Sequence, residues 1–148
     1  MTNSFTIKFE KLNKNAILPR RGSEFAAGYD LYACIDAPIT IHPHTTAKIG
    51  TGLAFELPEG TFGAIFARSG MATKQGVRPA NCVGICDCDY RGEYIVALHN
   101  DTDEPRVVQP FDRIAQLVLM PFYTMEFQEA VLTNTTRGSG GFGSTGSK

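Results

Sequence analysis

One arginine and one aromatic ring stand in a glycine-rich, hydroxyl-bearing stretch near the end of the sequence, Arg137-Gly-Ser-Gly-Gly-Phe-Gly-Ser-Thr-Gly146. Arg137 can fork onto a phosphate, glycine amides such as that of Gly143 and the hydroxyls of Ser144 and Thr145 can wrap phosphate oxygens, and the Phe142 ring can stack on a flat base. With almost no aliphatic side chains, the stretch cannot bury enough apolar surface to offset the entropy that glycine loses on ordering. It reads as a flexible lid that closes over a nucleotide. Three further clusters are more polar than folding requires. In Phe66-Ala-Arg-Ser-Gly-Met-Ala72, Arg68, Ser69 and Gly70 fall where a strand passes into a short helix, so free backbone N–H groups would face one point and make an anion site. The ordinary alternative is a Ser N-cap beside a solvent-facing Arg. Asn81 to Ile95 reads as two strands joined by an acidic turn, with Asp87 and Tyr90 near its tip. Turn chemistry explains Asp89 and Gly92, but not a Tyr beside two carboxylates. Asp112, Arg113 and Gln116 surround the start of a strand that should be buried, where a polar side chain is usually hydrogen-bonded to something specific.

Two familiar glycine motifs fail on context. Gly138, Gly140 and Gly143 have the G-x-G-x-x-G spacing, but the dinucleotide fingerprint needs a strand before it, a helix after it and an acidic residue further on, and the sequence stops at Lys148. Gly141 to Lys148 resembles a phosphate-binding Walker loop, yet Ser147 precedes Lys148 where that loop needs Lys first. A disordered terminus without a role is the plain alternative.

The elements that must position these residues are short. The 148 residues, 43% hydrophobic with no long apolar run, suit one soluble domain with a single core. We expect residues 1–132 to form that core and 133–148 to be the lid segment of the same domain. Strand signals fall at Thr6–Leu12, half-buried by its alternation, and at Ile39–Ile41, Ala47–Phe55, Thr61–Ala67, Cys82–Cys86, Glu93–His99, Arg106–Val108 and Ile114–Met120. Turn residues punctuate them, and only Ser69–Gln75 reads as a helix. The pattern is that of an all-β sandwich or barrel without internal repeats. The opening residues carry neither a basic nor an apolar leader pattern, so an intracellular location without a signal peptide or membrane span is expected. A net charge of -1 argues against a nucleic-acid backbone as the main partner, whereas a small phosphorylated ligand needs only a few cations. Cys34, Cys82, Cys86 and Cys88 lack the paired spacing of a zinc site and read as small hydrophobes. His42, His44 and His99 read as structural or exposed.

Ala27-Gly-Tyr-Asp-Leu31, Arg68-Ser-Gly70, Gly84-Ile-Cys-Asp-Cys-Asp-Tyr-Arg-Gly92, Asp112-Arg-Ile-Ala-Gln-Leu117 and Arg137 to Gly146 together resemble the ordered motifs of the trimeric deoxyuridine triphosphatases, over nearly the whole chain. Each motif alone is weak; the set, in the family's order and spacing, is specific. The resemblance implies a jelly-roll-like β fold, a homotrimer whose subunits share the active sites, Mg²⁺ dependence, and hydrolysis of dUTP to dUMP and pyrophosphate. That reaction keeps uracil out of DNA and supplies dUMP for thymidylate synthesis. By the same resemblance Asp87 would orient and deprotonate the water that attacks the α-phosphorus, and Tyr90 would pack beneath the deoxyribose. Asn81 and the backbone around Ile85, Cys86 and Ile95 would read the uracil edge. Arg68, Ser69, Gly70 and Gln116 would hold the inner phosphates, Arg137, Gly143, Ser144 and Thr145 the γ-phosphate end, and Phe142 would stack on the base. Asp30 would order water near the metal, with Mg²⁺ held by the substrate phosphates and no direct protein ligand.

The chemistry of these residue types agrees. A carboxylate is a weak base that contributes on the order of 10² to 10⁴ in rate, so positioning and charges facing the phosphates must supply the rest. Mg²⁺ keeps several waters and prefers phosphate oxygens, in keeping with the lack of a dense acidic cage. A hairpin backbone would pair with uracil but meet a donor where cytosine differs, close strands would clash with the 5-methyl of thymine, and a Tyr under the sugar leaves no room for a 2′-OH. Two positions depart from the family pattern. Cys86 replaces an aliphatic residue, and Phe111 replaces a Gly, which would be strained if that turn needs a positive φ. A dCTP deaminase of the same fold, a regulatory module switched by tail closure, and a ligand-free β-sandwich are the competing readings.

Overall fold

The structure is a computed structural model and describes residues 4–141. In chain order its strands are β1 (Lys8–Lys11), β2 (Arg20–Arg21), β3 (Tyr29–Tyr32), β4 (Ile39–Ile41), β5 (Thr46–Gly50), β6 (Leu53–Glu56), β7 (Thr61–Phe66), β8 (Val77–Pro79), β9 (Val83–Asp87), β10 (Ile95–Asn100), β11 (Arg106–Val108) and β12 (Arg113–Pro121). The largest sheet runs β2-β3-β12-β7-β9, a second runs β5-β10-β8, and β1-β6 and β11-β4 form ribbons. All the pairings are antiparallel. Alternation is clear in β10, where Val96, Leu98 and Asn100 point inward while Ile95, Ala97 and His99 point out. Leu31, Ile49, Leu53, Ile65, Val96, Leu98 and Ile114 of the different sheets meet in one core.

Several expected elements differ. The run Ala47–Phe55 is two strands, because the chain bends at Thr51–Gly52, where Gly52 takes φ +67°. The strand expected at Thr6–Leu12 is shorter, and all four residues of β1 are exposed, since β1 pairs only with β6 and neither of its faces is covered among the described residues. β2, β3 and β8 carried no strand signal. The helix expected over Ser69–Gln75 is a π-helical turn at Met71–Gln75, begun at Gly70 without a side-chain cap and ended by Gly76 at φ +65°.

One buried polar residue is fully used. Asn100, with no exposed surface, donates from Nδ2 to the carbonyls of Ile41 (3.1 Å) and Glu104 (2.7 Å) and accepts from the N–H (3.0 Å) and hydroxyl (2.8 Å) of Thr102. Asn100→Ala leaves those partners unsatisfied in the interior and is expected to lower stability by about 2–4 kcal/mol. The drop in denaturant midpoint measures it; an unchanged midpoint would refute the account.

Candidate active site

The segment Asn81 to Ile95 was expected to fold back on itself as a hairpin. It does not. β9 pairs with β7, whereas β10 pairs with β5 and β8, so the two strands leave in different sheets and never form a ladder with each other. The strand expected to begin at Glu93 begins only at Ile95. Between the splayed strands lies a cleft of about 230 Å³ lined by Ile85, Cys86, Asp87, Tyr90, Glu93, Tyr94 and Ile95. Because β9 is the edge of its sheet, its outer backbone groups have no ladder partner and can pair with a ligand. Asp87 ends β9 with its side chain exposed. Ile85 and Ile95 are exposed on the two walls, while Cys86 is partly buried against the core. Asn81 precedes β9, and its amide nitrogen lies beside Gly84, 3.5 Å from where a side chain there would begin.

The turn after β9 is held in place by backbone contacts. The Tyr90 N–H donates to the Asp87 carbonyl (3.1 Å), and its hydroxyl donates to the Glu93 carbonyl (3.0 Å). Glu93 Oε1 accepts from the Gly52 N–H (2.7 Å), and Tyr94 exchanges backbone bonds with Leu53 and Thr51. The bend that divides the expected strand Ala47–Phe55 thus anchors the connection carrying Tyr90. Glu93 and Tyr94 had not been singled out. Tyr94 is 1% exposed, its ring packs edge-on to Phe55 at 4.8 Å, and its hydroxyl has no hydrogen-bond partner among the described residues. Burial, with Cys86 beside it, pushes the Tyr94 phenol up, and burial does the same to the Cys86 thiol. Both therefore stay uncharged at neutral pH. The sequence cue was an aromatic at an inward position just beyond the acidic turn.

A second cluster forms at the far end of the large sheet. Arg68 Nε donates to Asp30 Oδ1 (2.9 Å), Arg113 Nη1 donates to Asp30 Oδ2 (3.3 Å), and Arg68 Nη1 donates to the Arg113 carbonyl (3.2 Å). Asp30 thus clamps two arginines, and Arg68 is no solvent-facing side chain. Gln116 stands opposite Asp30 in β3 and Phe66 in β7, donates to the Ala67 carbonyl (2.9 Å), and fills the space that a side chain on Gly28 would need. Ser69 and Gly70 are exposed beside it; the Ser69 side chain caps nothing, since Gly70 is the cap position and no side chain bonds there. The π-helical turn is too short to add a helix dipole, so the cationic character comes from the arginines and local amides.

The two clusters do not meet within one chain. Asp87 is opposite Phe62 of β7, whereas Gln116 is opposite Phe66. Four residues along a strand and two strand spacings put Asp87 roughly 17 Å from Gln116. Among the described residues the Arg137 side chain donates to the Gly140 carbonyl alone (2.9 Å). Phe142, Gly143, Ser144 and Thr145 lie outside the described residues.

The turn before β12 does require a positive φ, and Phe111 adopts it at +67°, held by its N–H to the Ala33 carbonyl (2.8 Å) and by Asp112 Oδ2 accepting from the Gln109 N–H (2.8 Å). The ring is about half exposed and gains little packing. Phe111→Gly is expected to raise stability by about 0.5–1 kcal/mol. A lowered thermal midpoint would show that the ring, not the backbone, governs this turn.

The all-β fold thus carries a cleft beside a sheet edge and, apart from it, an arginine–carboxylate clamp. Residues 14–146 match the dUTPase family. The chain is 49% identical over 148 residues to the deoxyuridine 5'-triphosphate nucleotidohydrolase of Desulfitobacterium hafniense (strain DSM 10664 / DCB-2), covering 97% of this chain and 98% of that one. It is 48% identical over 132 residues to the protein of the same name from Rhizobium leguminosarum bv. trifolii, covering 87% and 85%. The structure of Staphylococcus bacteriophage 80alpha dUTPase with dUPNHPP superposes with a TM-score of 0.86 at 27% identity, covering 97% and 99%. The chain therefore belongs to the dUTPase family, with its jelly-roll-like all-β fold, and is an enzyme of that kind. No helix among the described residues is long and apolar enough to cross a membrane.

Proposed function

We propose that this protein hydrolyses dUTP to dUMP and pyrophosphate in a homotrimer whose active sites are shared between subunits, so limiting uracil in DNA and providing dUMP for thymidylate synthesis. The observation that carries the reading is the division of the site: a base cleft with Asp87 at its lip, and on the same chain a guanidinium clamp beside Gln116, itself roughly 17 Å from Asp87. Apposing the cleft of one subunit to the clamp of another makes one site from two halves. A reason to assemble is present in the extended segment 122–135, where Tyr123, Phe127 and Val131 are 90%, 90% and 100% exposed. Apolar side chains so exposed along one segment call for a covering surface, and a second copy supplies it.

In this reading uracil enters the splayed edge of β9 and pairs with the backbone at Ile85, Cys86 and Ile95 and with Asn81. Tyr90 supports the sugar. Asp87, open to solvent at the cleft lip, holds the attacking water and takes its proton as the oxygen reaches the α-phosphorus. Arg68, with Ser69, Gly70 and Gln116, faces the inner phosphates, and Arg137 with the hydroxyls of the tail closes on the γ-phosphate. Among the described residues no three carboxylates, histidines or cysteines gather around one point. That donor set fits a Mg²⁺ held through phosphate oxygens and water, with Asp30 ordering a water. When bound, the ion neutralises charge on the phosphates.

The test is pyrophosphate release from dUTP, dCTP, dTTP and UTP in the presence of Mg²⁺. Release from dUTP alone is the expected result, and release from none of them would favour a regulatory binding module. Tyr90→Ala should raise the rate on UTP relative to dUTP; an unchanged ratio would remove Tyr90 from sugar selection.

A further inference from the structure

Gly92 sits in the connection between β9 and β10, where a turn residue would ordinarily account for it. Its backbone does not. The glycines with positive φ among the described residues are Gly52, Gly60, Gly76 and Gly138, and Gly92 is not among them, so an L-residue can take its conformation. What a side chain would meet is Tyr90. A Cβ built on Gly92 overlaps the phenol oxygen and comes within 2.5 Å of Cζ and 2.8 Å of Cε2. The three atoms nearest to that Cβ all belong to the Tyr90 side chain.

Other contacts fix the same ring. Its hydroxyl donates to the Glu93 carbonyl at 3.0 Å, and its centroid lies 6.2 Å from that of buried Tyr94. Glu93 is itself immobilised, with Oε1 accepting the Gly52 N–H at 2.7 Å and reaching within 2.5 Å of where a Gly50 side chain would begin. Tyr90 is therefore seated between an anchored backbone and a vacant side-chain position. A methyl group at residue 92 can be accommodated by swinging the exposed ring, which costs the fold little but moves the surface that the ring offers to the cleft.

We infer that Gly92 is a positioning residue for sugar selection: by lacking a side chain it seats Tyr90 at the depth that separates deoxyribose from ribose. The inference rests on the proposed dUTP hydrolysis and adds to it a residue that never touches substrate. Gly92→Ala should reduce the ratio of kcat/KM for dUTP over UTP by about tenfold, the effect of roughly one misplaced methylene in a pocket, while the melting temperature stays within about 2 °C of wild type. A general loss of structure would lower both substrates together and leave the ratio alone.

The pair of variants Tyr90→Ala and Tyr90→Ala with Gly92→Ala closes the argument. If Gly92 acts through the ring, the double variant folds and has the same ratio as Tyr90→Ala, even should Gly92→Ala alone fail to fold. A folded Gly92→Ala protein with the wild-type ratio overturns the inference. So does a double variant that fails to fold or whose ratio differs from that of Tyr90→Ala. Wild-type protein without dUTP turnover would instead refute the hydrolysis itself, before any variant is made.

Discussion

Asp87→Asn is expected to lower kcat for pyrophosphate release from dUTP by on the order of 10² to 10⁴, the contribution of a positioned general base. The Asp87 side chain is exposed, forms no hydrogen bond with another described residue, and stands at the very end of β9, so its replacement by an isostere removes charge and basicity without disturbing the sheet. KM should change little, because in the proposed site the β9 backbone would read the base edge and arginines elsewhere would hold the phosphates. This split between kcat and KM marks a group that acts in the transition state rather than in binding. The melting curve should overlay that of the wild type. A variant that retains kcat within tenfold would take Asp87 out of the chemistry.

Complementation between two inactive proteins should produce the second large effect. Asp87→Asn disables the cleft half of the site, and Arg68→Ala disables the clamp half. If the halves belong to different subunits, a co-refolded equal mixture contains sites in which an intact Asp87 meets an intact Arg68. Random assembly gives roughly a quarter of sites that composition. Activity should rise from near zero in either protein alone to about a quarter of the wild-type value in the mixture. A mixture no more active than the sum of its parts would mean that each site is built within one chain, and that the roughly 17 Å separation closes by another route.

The elements that were legible are those whose pattern is local. β10 alternates inward and outward along its length, whereas β7 and β12 show as short apolar runs bounded by turn residues and carry consecutive buried residues, Gly63 to Ile65 and Ile114 with Ala115. β2 holds only two arginines and β3 reads Tyr-Asp-Leu-Tyr, too short and too polar for a period to emerge; they are strands because β12 pairs with β3 and β3 with β2. The expected hairpin failed for the same reason. Turn formers between Asp87 and Gly92 announce a change of direction, but nothing local says that β9 must join β7, and β10 must join β5 and β8. The polar candidates stood out against folding needs, and the structure puts Arg68 in the clamp, Gln116 beside it, and Asp87 and Tyr90 at the cleft. Glu93 and Tyr94 were hidden by looking like the start of an ordinary strand. The residue type alone leaves it conditional whether the turn at residue 111 needs a positive φ; the structure has it, and Phe111 bears it.

The cleft has one wall in the five-stranded sheet and the other in the three-stranded sheet. It is in effect the joint of a pair of calipers, and its gauge is set by the hydrophobic layer behind it, where Ile65, Val96 and Leu98 pack together. If the cleft holds the base as proposed, tolerance for a bulkier pyrimidine becomes a property of the interior, and a conservative repacking deep in the molecule would retune which base is admitted while leaving every residue at the lip unchanged.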